Sequence, residues 1–295
     1  MKENSVSITA EDMAGFRAIE TLKQKEDRVC EDHYAKHFLT GSWLKRYKSP
    51  LRRRIYLWLG NLINPGGPNT VAARVKFIDE YIKSCIKDGL EQLVIMGAGY
   101  DCRPYRMEEL KKGVKVFEVD HPATQGKKKQ VLNTVLDDIP DNVVFVPYRL
   151  EEEGFGRKLL ELGYDKTQKA LFIMEGLIMY LAPEAVKELF SFVSDHACPE
   201  SAVVFDFLPP GIEDGTINSK GGKNMHKWAI KKGEPFKFGI DKGQLPQFLS
   251  EVGFHNVTAV AAEHCREKYF TGNNRNRAIS PLFSFAHATV KEKTL

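Results

Sequence analysis

The sequence has few cysteines, and none of them has the spacing of a metal site or a redox pair. Its 295 residues include five cysteines, which are scattered along the chain at positions 30, 85, 102, 198 and 265. This distribution excludes zinc-finger and Cys-x-x-Cys proteins. Since reducing compartments keep such thiols unpaired, we expect free cysteines and a cytoplasmic protein.

The sequence also lacks a long apolar run and a strong charge imbalance. No segment reaches the length of a membrane span, and the N-terminal residues have no apolar signal-peptide core. The net charge is only +4, whereas nucleic-acid-binding proteins usually concentrate basic residues on one face. We therefore expect neither a membrane span nor a nucleic-acid partner. With 42% hydrophobic residues, the chain can form one large domain with embellishments.

Residues 91–120 have the pattern of a nucleotide-binding unit. Residues 93–96 form an uninterrupted apolar run, which is typical of a strand buried on both faces. Gly97 and Gly99 follow, and their missing Cβ atoms permit a tight turn and the close approach of a ligand. A second apolar strand ends at Asp120, where an acid can accept hydrogen bonds from ribose hydroxyls. We expect this unit to bind a nucleoside-bearing cofactor, S-adenosylmethionine.

Strands and helices alternate from this unit onward. Apolar runs at 143–146, 170–174 and 201–208 predict three more strands, with helical patterns between them. Such alternation indicates a mostly parallel, doubly wound sheet with helices on both faces. Residues 256–261 and 282–290 predict two last strands that close the sheet as a hairpin. A helix is predicted at 241–252, with Asp241 and Gln244 as its capping box.

A basic amphipathic helix is predicted to begin at Ser49 and Pro50, a favourable cap followed by proline in the first turn. Leu51, Ile55, Trp58 and Leu62 recur at helical spacing, and residues 52–54 are three arginines on the other faces. The favoured interpretation is a solvated helix that covers the domain. Contact with a membrane surface or a polyanion stays an alternative, which no second signal in the sequence supports.

The glycine turn differs from a dinucleotide fingerprint. The third glycine of that fingerprint would stand at position 102, where this sequence has Cys102, followed by Arg103 and Pro104. Proline near the start of a helix limits the amides available to a diphosphate. The turn therefore favours a cofactor without phosphates over a nicotinamide dinucleotide. An ordinary strand–helix turn is the alternative interpretation.

Two further charged residues are candidates for the same site. Glu175 follows a strand at the carboxyl edge of the sheet, where its carboxylate could bind the amino group of a methionyl moiety. Its alternative role is to cap the following turn. Arg74 could bind a carboxylate in a bidentate manner, although by itself it is typical of a surface helix.

Together the motifs resemble the leucine carboxyl methyltransferase family. That family includes bacterial and archaeal O-methyltransferases linked to polyketide-type small molecules. The resemblance covers nearly the whole chain. The segments that carry it are RAIE at 17–20, EDHYAKHFL at 31–39, ARV at 73–75, GAGYDCRPYR at 97–106, FEVDHPATQGKK at 117–128, EGLIMYL at 175–181, GEPFKFGI at 233–240 and FLSEVGF at 248–254.

The resemblance implies a class I methyltransferase fold, which is Rossmann-like, with a seven-stranded sheet in a single domain. It implies four portions: an N-terminal helical extension at 1–68, a cofactor-binding core at 69–208, a helical lid at 209–240 and the C-terminal part of the sheet at 241–295.

The resemblance also implies how S-adenosylmethionine is bound. Arg74 would hold its carboxylate, Gly97 and Gly99 would lie beneath it, Asp120 would bind the ribose and Glu175 would lie near the amino group. Their neighbours Ala98, His121 and Gly176 are assigned to the same site.

One position departs from the family pattern. The family often has an aspartate and a leucine after the third strand, and the aspartate meets the adenine amino group. This sequence has Arg149 and Leu150, and an arginine offers only donors. Either Glu151 or a backbone carbonyl replaces the aspartate, or adenine is bound differently.

The predicted activity is methyl transfer from S-adenosylmethionine to a small-molecule carboxylate or hydroxyl. A carboxylate is already ionised, so that the protein would act by positioning and by exclusion of water. Arg17, Arg103 and Tyr180 are candidates for orienting an acidic acceptor, and His121 and His226 are interpreted as polar surface or core residues. The alternatives are a protein C-terminal carboxylate as acceptor, a non-catalytic protein that binds S-adenosylmethionine, and a disfavoured NAD-dependent oxidoreductase.

Overall fold

The computed structural model of the protein describes residues 7–149 and 155–292. Seven strands form one sheet in the order β3-β2-β1-β4-β5-β7-β6. The first five strands run parallel, and β7 pairs antiparallel with both β5 and β6. The strands are β1 Gln92–Met96, β2 Lys115–Asp120, β3 Val143–Pro147, β4 Ala170–Met174, β5 Ala202–Phe207, β6 Phe254–Ala261 and β7 Ser284–Val290.

Helices cover both faces of this sheet, as the strand–helix alternation predicted. Along β1, Val94 and Met96 belong to one buried cluster, whereas Leu93 and Ile95 belong to another. Because neighbouring strand residues point to opposite faces, the two clusters lie on opposite sides of the sheet. The core helices are α4 Gly67–Lys87, α5 Arg103–Arg106, α6 Pro122–Val135, α7 Phe155–Glu161, α8 Pro183–His196, α10 Leu245–Glu251 and α11 Ala262–Tyr269.

The N-terminal residues form helices beside the carboxyl edge of the sheet. They are α1 Ile8–Thr21, α2 Gly41–Lys48 and α3 Pro50–Ile63, with a 3₁₀ turn at Ala35–Phe38. Helix α3 begins as predicted, because the Ser49 hydroxyl accepts a hydrogen bond from the Arg52 amide and Pro50 stands in the first turn. Tyr56 and Leu57 pack against the neighbouring helices, but the stripe that contains Leu51 and Trp58 is exposed.

The segment after β5 contains α9 Lys220–Lys232, which packs on α3. Further on, the prediction of a capping box at Asp241 and Gln244 is wrong. Helix α10 begins only at Leu245, with Pro246 in its first turn, and no side chain caps its N-terminus. The Asp241 carboxylate instead accepts from the Gly243 amide at 2.7 Å in the preceding turn. Proline is favoured in the first helical turn, which explains the later start.

The sequence-based division into extension, core, lid and C-terminal part stays a prediction. Within residues 7–149 and 155–292, no helix is long and apolar enough to cross a membrane.

Candidate functional site

A cavity of about 870 Å³ lies at the carboxyl edge of the parallel strands. Its floor consists of the residues that follow β1, β2, β3 and β4, and helices α1, α3 and α9 contribute the other walls. The chain crosses from one half of the sheet to the other between β1 and β4, which pair side by side. Ligands of open α/β sheets bind at such a crossing point, and the volume is in the range of small-molecule sites.

The glycine turn after β1 forms part of the floor with its bare backbone. Gly97 and Gly99 have φ angles of +63° and +47°, which side chains rarely tolerate. A Cβ atom on Gly97 would lie 3.1 Å from the Leu177 side chain, and one on Gly99 would lie 3.3 Å from Ala10. Ala98, between them, donates its amide to the Val119 carbonyl at 2.9 Å and so ties the turn to β2.

Asp120 ends β2 beside this turn, and its carboxylate is held by backbone donors. One oxygen accepts from the Gly99 amide and the other from the His121 amide, the latter at 2.6 Å. Burial raises the pKa of Asp120, although the two amides oppose that change. His121 caps α6, because its Nδ1 accepts from the Ala123 amide at 3.2 Å.

A buried ion-pair cluster connects the ends of three strands with α4. Arg74, on α4, donates its Nε to Glu175 at 2.9 Å and its Nη1 to Asp206 at 2.7 Å. Arg103 donates Nη1 to the second Glu175 oxygen and Nε to Asp79, both at 2.7 Å. Glu175 therefore stands between two guanidiniums directly after β4. The cluster also contains Asp101 and Arg106.

The charges of this cluster fix the ionisation of Glu175. Burial would raise its pKa, but the guanidiniums of Arg103 and Arg74 lower the pKa of Glu175 to about 2. The cluster as a whole has three arginines and four carboxyl groups. An excess of negative charge at the cavity floor favours a cationic group of the ligand.

Asp206 is a site residue that the sequence analysis missed. It is fully buried on β5, accepts from Arg74, and accepts from the Gly176 amide at 2.5 Å. Burial raises its pKa. Asp206 thus fixes the position of Arg74 and of the turn after Glu175. The available signal was a single acid near the end of an otherwise apolar strand, AVVFDF.

The three residues suggested for orienting an acceptor lie in different surroundings. Arg17 is buried and donates to Asp32 at 2.8 Å and to the Tyr100 carbonyl at 2.5 Å. Arg103 belongs to the ion-pair cluster. Tyr180 lines the cavity and packs against Phe236 with ring centroids 5.4 Å apart. All three residues line the cavity, but the two arginines are already engaged in ion pairs or hydrogen bonds within the protein. Which of the three orients an acceptor stays a prediction.

Comparison with known proteins identifies the family. A sequence model described as leucine carboxyl methyltransferase matches residues 10–194, which is more than half of the chain. The chain belongs to the leucine carboxyl methyltransferase family.

Relatives of this methyltransferase are found in several bacteria. A Bacillus subtilis (strain 168) protein named "Putative S-adenosyl-L-methionine-dependent methyltransferase YktD" is 29% identical over 75% of this chain and 73% of that protein. A Mycobacterium marinum protein named "Putative S-adenosyl-L-methionine-dependent methyltransferase" is 28% identical over 93% of this chain and 84% of its own length.

Solved structures confirm the class I methyltransferase fold. A Thermobifida fusca crystal structure, described as that of a "putative methyltransferase", has a TM-score of 0.59 and 14% identity. The similarity covers 81% of this chain and 88% of that one. A protein from Streptomyces avermitilis has the same TM-score at 11% identity, over 94% of this chain. At such low identity the similarity is evidence of the fold alone.

The departure of this methyltransferase from the family pattern lies after β3. Arg149 lines the cavity next to Tyr148, whereas Leu150 and Glu151 lie outside the described residues. Whether Glu151 replaces the expected aspartate therefore stays a prediction.

The floor of the cavity fits the cofactor of this methyltransferase. Arg103 is 2% exposed, and its Nη2 has no hydrogen-bond partner among residues 7–149 and 155–292. The Nη2 atom of Arg74 donates to the Met13 sulfur at 3.4 Å, its one hydrogen bond to those residues. A thioether is a weak acceptor, so that a carboxylate is a better partner for both atoms. Glu175 offers a negative charge close by, and the side-chain-free glycine turn leaves room for the body of the ligand.

Proposed function

We propose that this S-adenosylmethionine-dependent methyltransferase methylates an oxygen of a small molecule, a carboxylate or a hydroxyl. The main support for this proposal is the position and protonation of the Tyr180 hydroxyl. The Tyr180 side chain lines the cavity beside Phe236. A tyrosine hydroxyl is neutral at physiological pH, and burial raises the pKa of Tyr180 further, so that the hydroxyl can act as a donor there. A neutral donor in that position suits an acceptor that carries an oxygen anion.

A carboxylate acceptor agrees with the histidines near the cavity. The His121 Nδ1 already accepts from the Ala123 amide, and the His226 Nδ1 lies 2.8 Å from the Ile212 carbonyl. Asp120 and Asp214 interact electrostatically with these rings, but within the described residues neither ring is hydrogen-bonded to a carboxylate, as a general base usually is. A carboxylate is ionised at neutral pH and needs no such base.

S-adenosylmethionine supplies an electrophilic methyl group on a sulfonium. The chain would contribute binding and orientation: Asp120 would accept from the ribose, Glu175 would hold the amino group, and Arg74 and Arg103 would hold the carboxylate. Arg149 would border the adenine. Because the ion-pair cluster is buried, little water would screen its contacts with the cofactor, which would strengthen those contacts.

The wall opposite the floor would select the acceptor. Met225 and Trp228 on α9, with Phe236 beyond it, present apolar and aromatic surface to the cavity. We assign this segment to the lid that the family resemblance implies. An apolar and aromatic wall favours a small molecule over a protein C-terminal tail, which remains the second candidate acceptor.

The cofactor contact is tested by Asp120→Ala. The variant should bind S-adenosylhomocysteine about 1–3 kcal/mol more weakly in calorimetry, because charge-assisted hydrogen bonds to the ribose are lost. Glu188→Ala, which removes an exposed acid from α8, is the matched control and should bind normally. Equal affinity of the two variants would show that another group binds the ribose.

The acceptor is tested with tritiated S-adenosylmethionine and two sets of substrates, small carboxylic acids or phenols and peptides with free C-termini. Carboxylate methylation gives an ester that releases volatile methanol in base, whereas a hydroxyl gives a base-stable ether. Transfer to peptides alone would overturn the small-molecule proposal. Cofactor binding without transfer to either set would support the non-catalytic alternative.

A further inference from the structure

Helix α3 turns an apolar face directly to solvent. Leu51, Trp58 and Leu62 are 68%, 62% and 60% exposed, and Ile55 is 49% exposed. These four positions lie on one side of an α-helix. Tyr56 and Leu57, on the opposite side, contact the rest of the protein. We call Leu51, Ile55, Trp58 and Leu62 the α3 face.

Basic residues surround this face. Arg52 and Arg54 are exposed, and their positions on the helix place them on its two flanks. Lys45 and Lys48 are exposed on α2, directly before it. Residues 41–63 contain six lysines and arginines and no acidic residue, although the whole chain has a net charge of only +4. Four of these six are exposed, whereas Arg46 stacks on Tyr56 and Arg53 donates to the Tyr47 carbonyl. The exposed positive charge of this segment therefore comes from Lys45, Lys48, Arg52 and Arg54, and no acid of the segment opposes it.

We propose that the α3 face docks onto the surface of an anionic lipid bilayer. An amphipathic helix with this pattern lies in the plane of the interface, with its apolar residues among the upper acyl chains. Arg52 and Arg54 can reach up to the lipid phosphates, because their aliphatic stems cover apolar surface while the guanidiniums stay at the headgroups. Trp58 belongs to the residue type that prefers this boundary.

The charge distribution favours lipid over a second copy of the chain. In a two-fold dimer the same patch meets itself, so that the basic residues of 41–63 would approach their own copies. No acid within that segment could neutralise them. An anionic bilayer supplies both the apolar layer and the opposite charge.

The docked orientation would determine how an acceptor reaches the cavity, and this step rests on the proposed function. Leu59 and Ile63 are exposed on α3 and also line the cavity. Asn224 of α9 donates to the Ile63 carbonyl at 3.3 Å, so that the lid borders the same rim. A bilayer against the α3 face would therefore lie beside the cavity rim, where an apolar acceptor could pass from lipid to the site.

Co-sedimentation with vesicles tests the docking. The full chain should bind vesicles of phosphatidylcholine and phosphatidylglycerol but not phosphatidylcholine alone, and high salt should weaken binding. Trp58→Glu should lower the partition coefficient about tenfold or more, because an acid replaces a large apolar side chain. Leu160→Glu, on α7, makes the same kind of change at a side chain that is 42% exposed and should bind as the wild type does.

A double variant, Arg52→Glu with Arg54→Glu, tests the charge and should lose anionic-vesicle binding by on the order of tenfold or more. Thermal shift with S-adenosylhomocysteine checks that each variant is folded, and it reports on the cofactor site independently of docking. Absence of vesicle binding by the wild type would overturn the proposal, as would equal binding by the Trp58 and Leu160 variants. A concentration-dependent dimer that Trp58→Glu dissociates, without vesicle binding, would assign the α3 face to a second copy.

Discussion

The two walls of the cavity differ in the chemistry of their side chains. The floor at the strand ends consists of buried charges that pair with one another, with Arg74 and Arg103 between four carboxylates. The wall formed by α3 and α9 consists of apolar and aromatic side chains, and basic residues surround it on the outside. The floor combines the strand ends with α4 and α5, whereas the other wall consists of α3 and α9.

This difference separates two tasks. The floor is ordered before a ligand binds, because its carboxylates and guanidiniums already fix one another, and preorganised groups bind without further loss of freedom. Few charged contacts hold the helical wall in place, so that its residues can change without disturbing the cofactor contacts. We therefore expect cofactor binding to depend on the floor and acceptor choice to depend on the helices.

The largest expected effect on stability comes from removing a buried charge from the cavity floor. Arg74→Met leaves the buried Asp206 carboxylate and one oxygen of Glu175 without their cationic partner. The loss should lower the free energy of unfolding by about 3–5 kcal/mol. Arg52→Met on α3 removes the same charge from an exposed position and should change it by only about 0.5 kcal/mol. Urea denaturation measures both. Similar losses in the two variants would refute the distinction between the walls.

The next effect concerns pH and is confined to the floor. The pKa of Glu175 is lower in the folded protein, about 2, than its ordinary value of 4.5. An acid whose pKa is lower in the folded protein stabilises the fold at any pH above its ordinary pKa. This contribution to the free energy of unfolding is lost as the pH falls from about 4.5 toward 2. That contribution is about 3 kcal/mol. Burial raises the pKa values of Asp120 and Asp206, and these groups change stability in the opposite direction.

The comparison of wild type with Glu175→Gln isolates this contribution. Melting temperatures between pH 7 and pH 3 should fall less steeply for the variant, because glutamine does not titrate. Glu188→Gln, on the surface of α8, should follow the wild type. Parallel curves for wild type and Glu175→Gln would show that Glu175 is not held ionised by its arginines.

The two walls also differ in how far the sequence predicts them. The strands were predicted because β1 and β4 are continuous apolar runs, and their carboxyl ends locate Gly97, Asp120 and Glu175 at one edge. Asp206 escaped prediction because it lies inside another apolar strand, and only the fold shows that its carboxylate meets Arg74.

The helical wall was predictable only in part. Periodicity identified the α3 stripe, but periodicity states which residues share a face and not whether that face is covered. The direction of the stripe depends on long-range packing of Tyr56 and Leu57. In the same way, the helix after the lid was predicted, but its start was fixed by Pro246 rather than by Asp241.

The smallest expected effect concerns the ion pair between α9 and α1. Lys232 at the end of α9 lies 3.2 Å from the Asp12 carboxylate on α1, and it is about one-third exposed. Asp12 keeps a second partner, because the Trp43 Nε1 donates to it at 2.7 Å. Lys232→Met should therefore lower stability by no more than about 1 kcal/mol in urea denaturation, as for other partly exposed pairs.

The same variant should nevertheless affect the mobility of residues 209–240. Without this ion pair, α9 loses a charged attachment to the N-terminal helix, so that limited proteolysis should cleave 209–240 faster than in the wild type. Lys231→Met, at the exposed neighbouring position, is the control for the charge alone. If Lys232→Met lowered the free energy of unfolding as much as Arg74→Met does, α9 and the cavity floor would unfold as one unit. The distinction between the two walls would then be wrong.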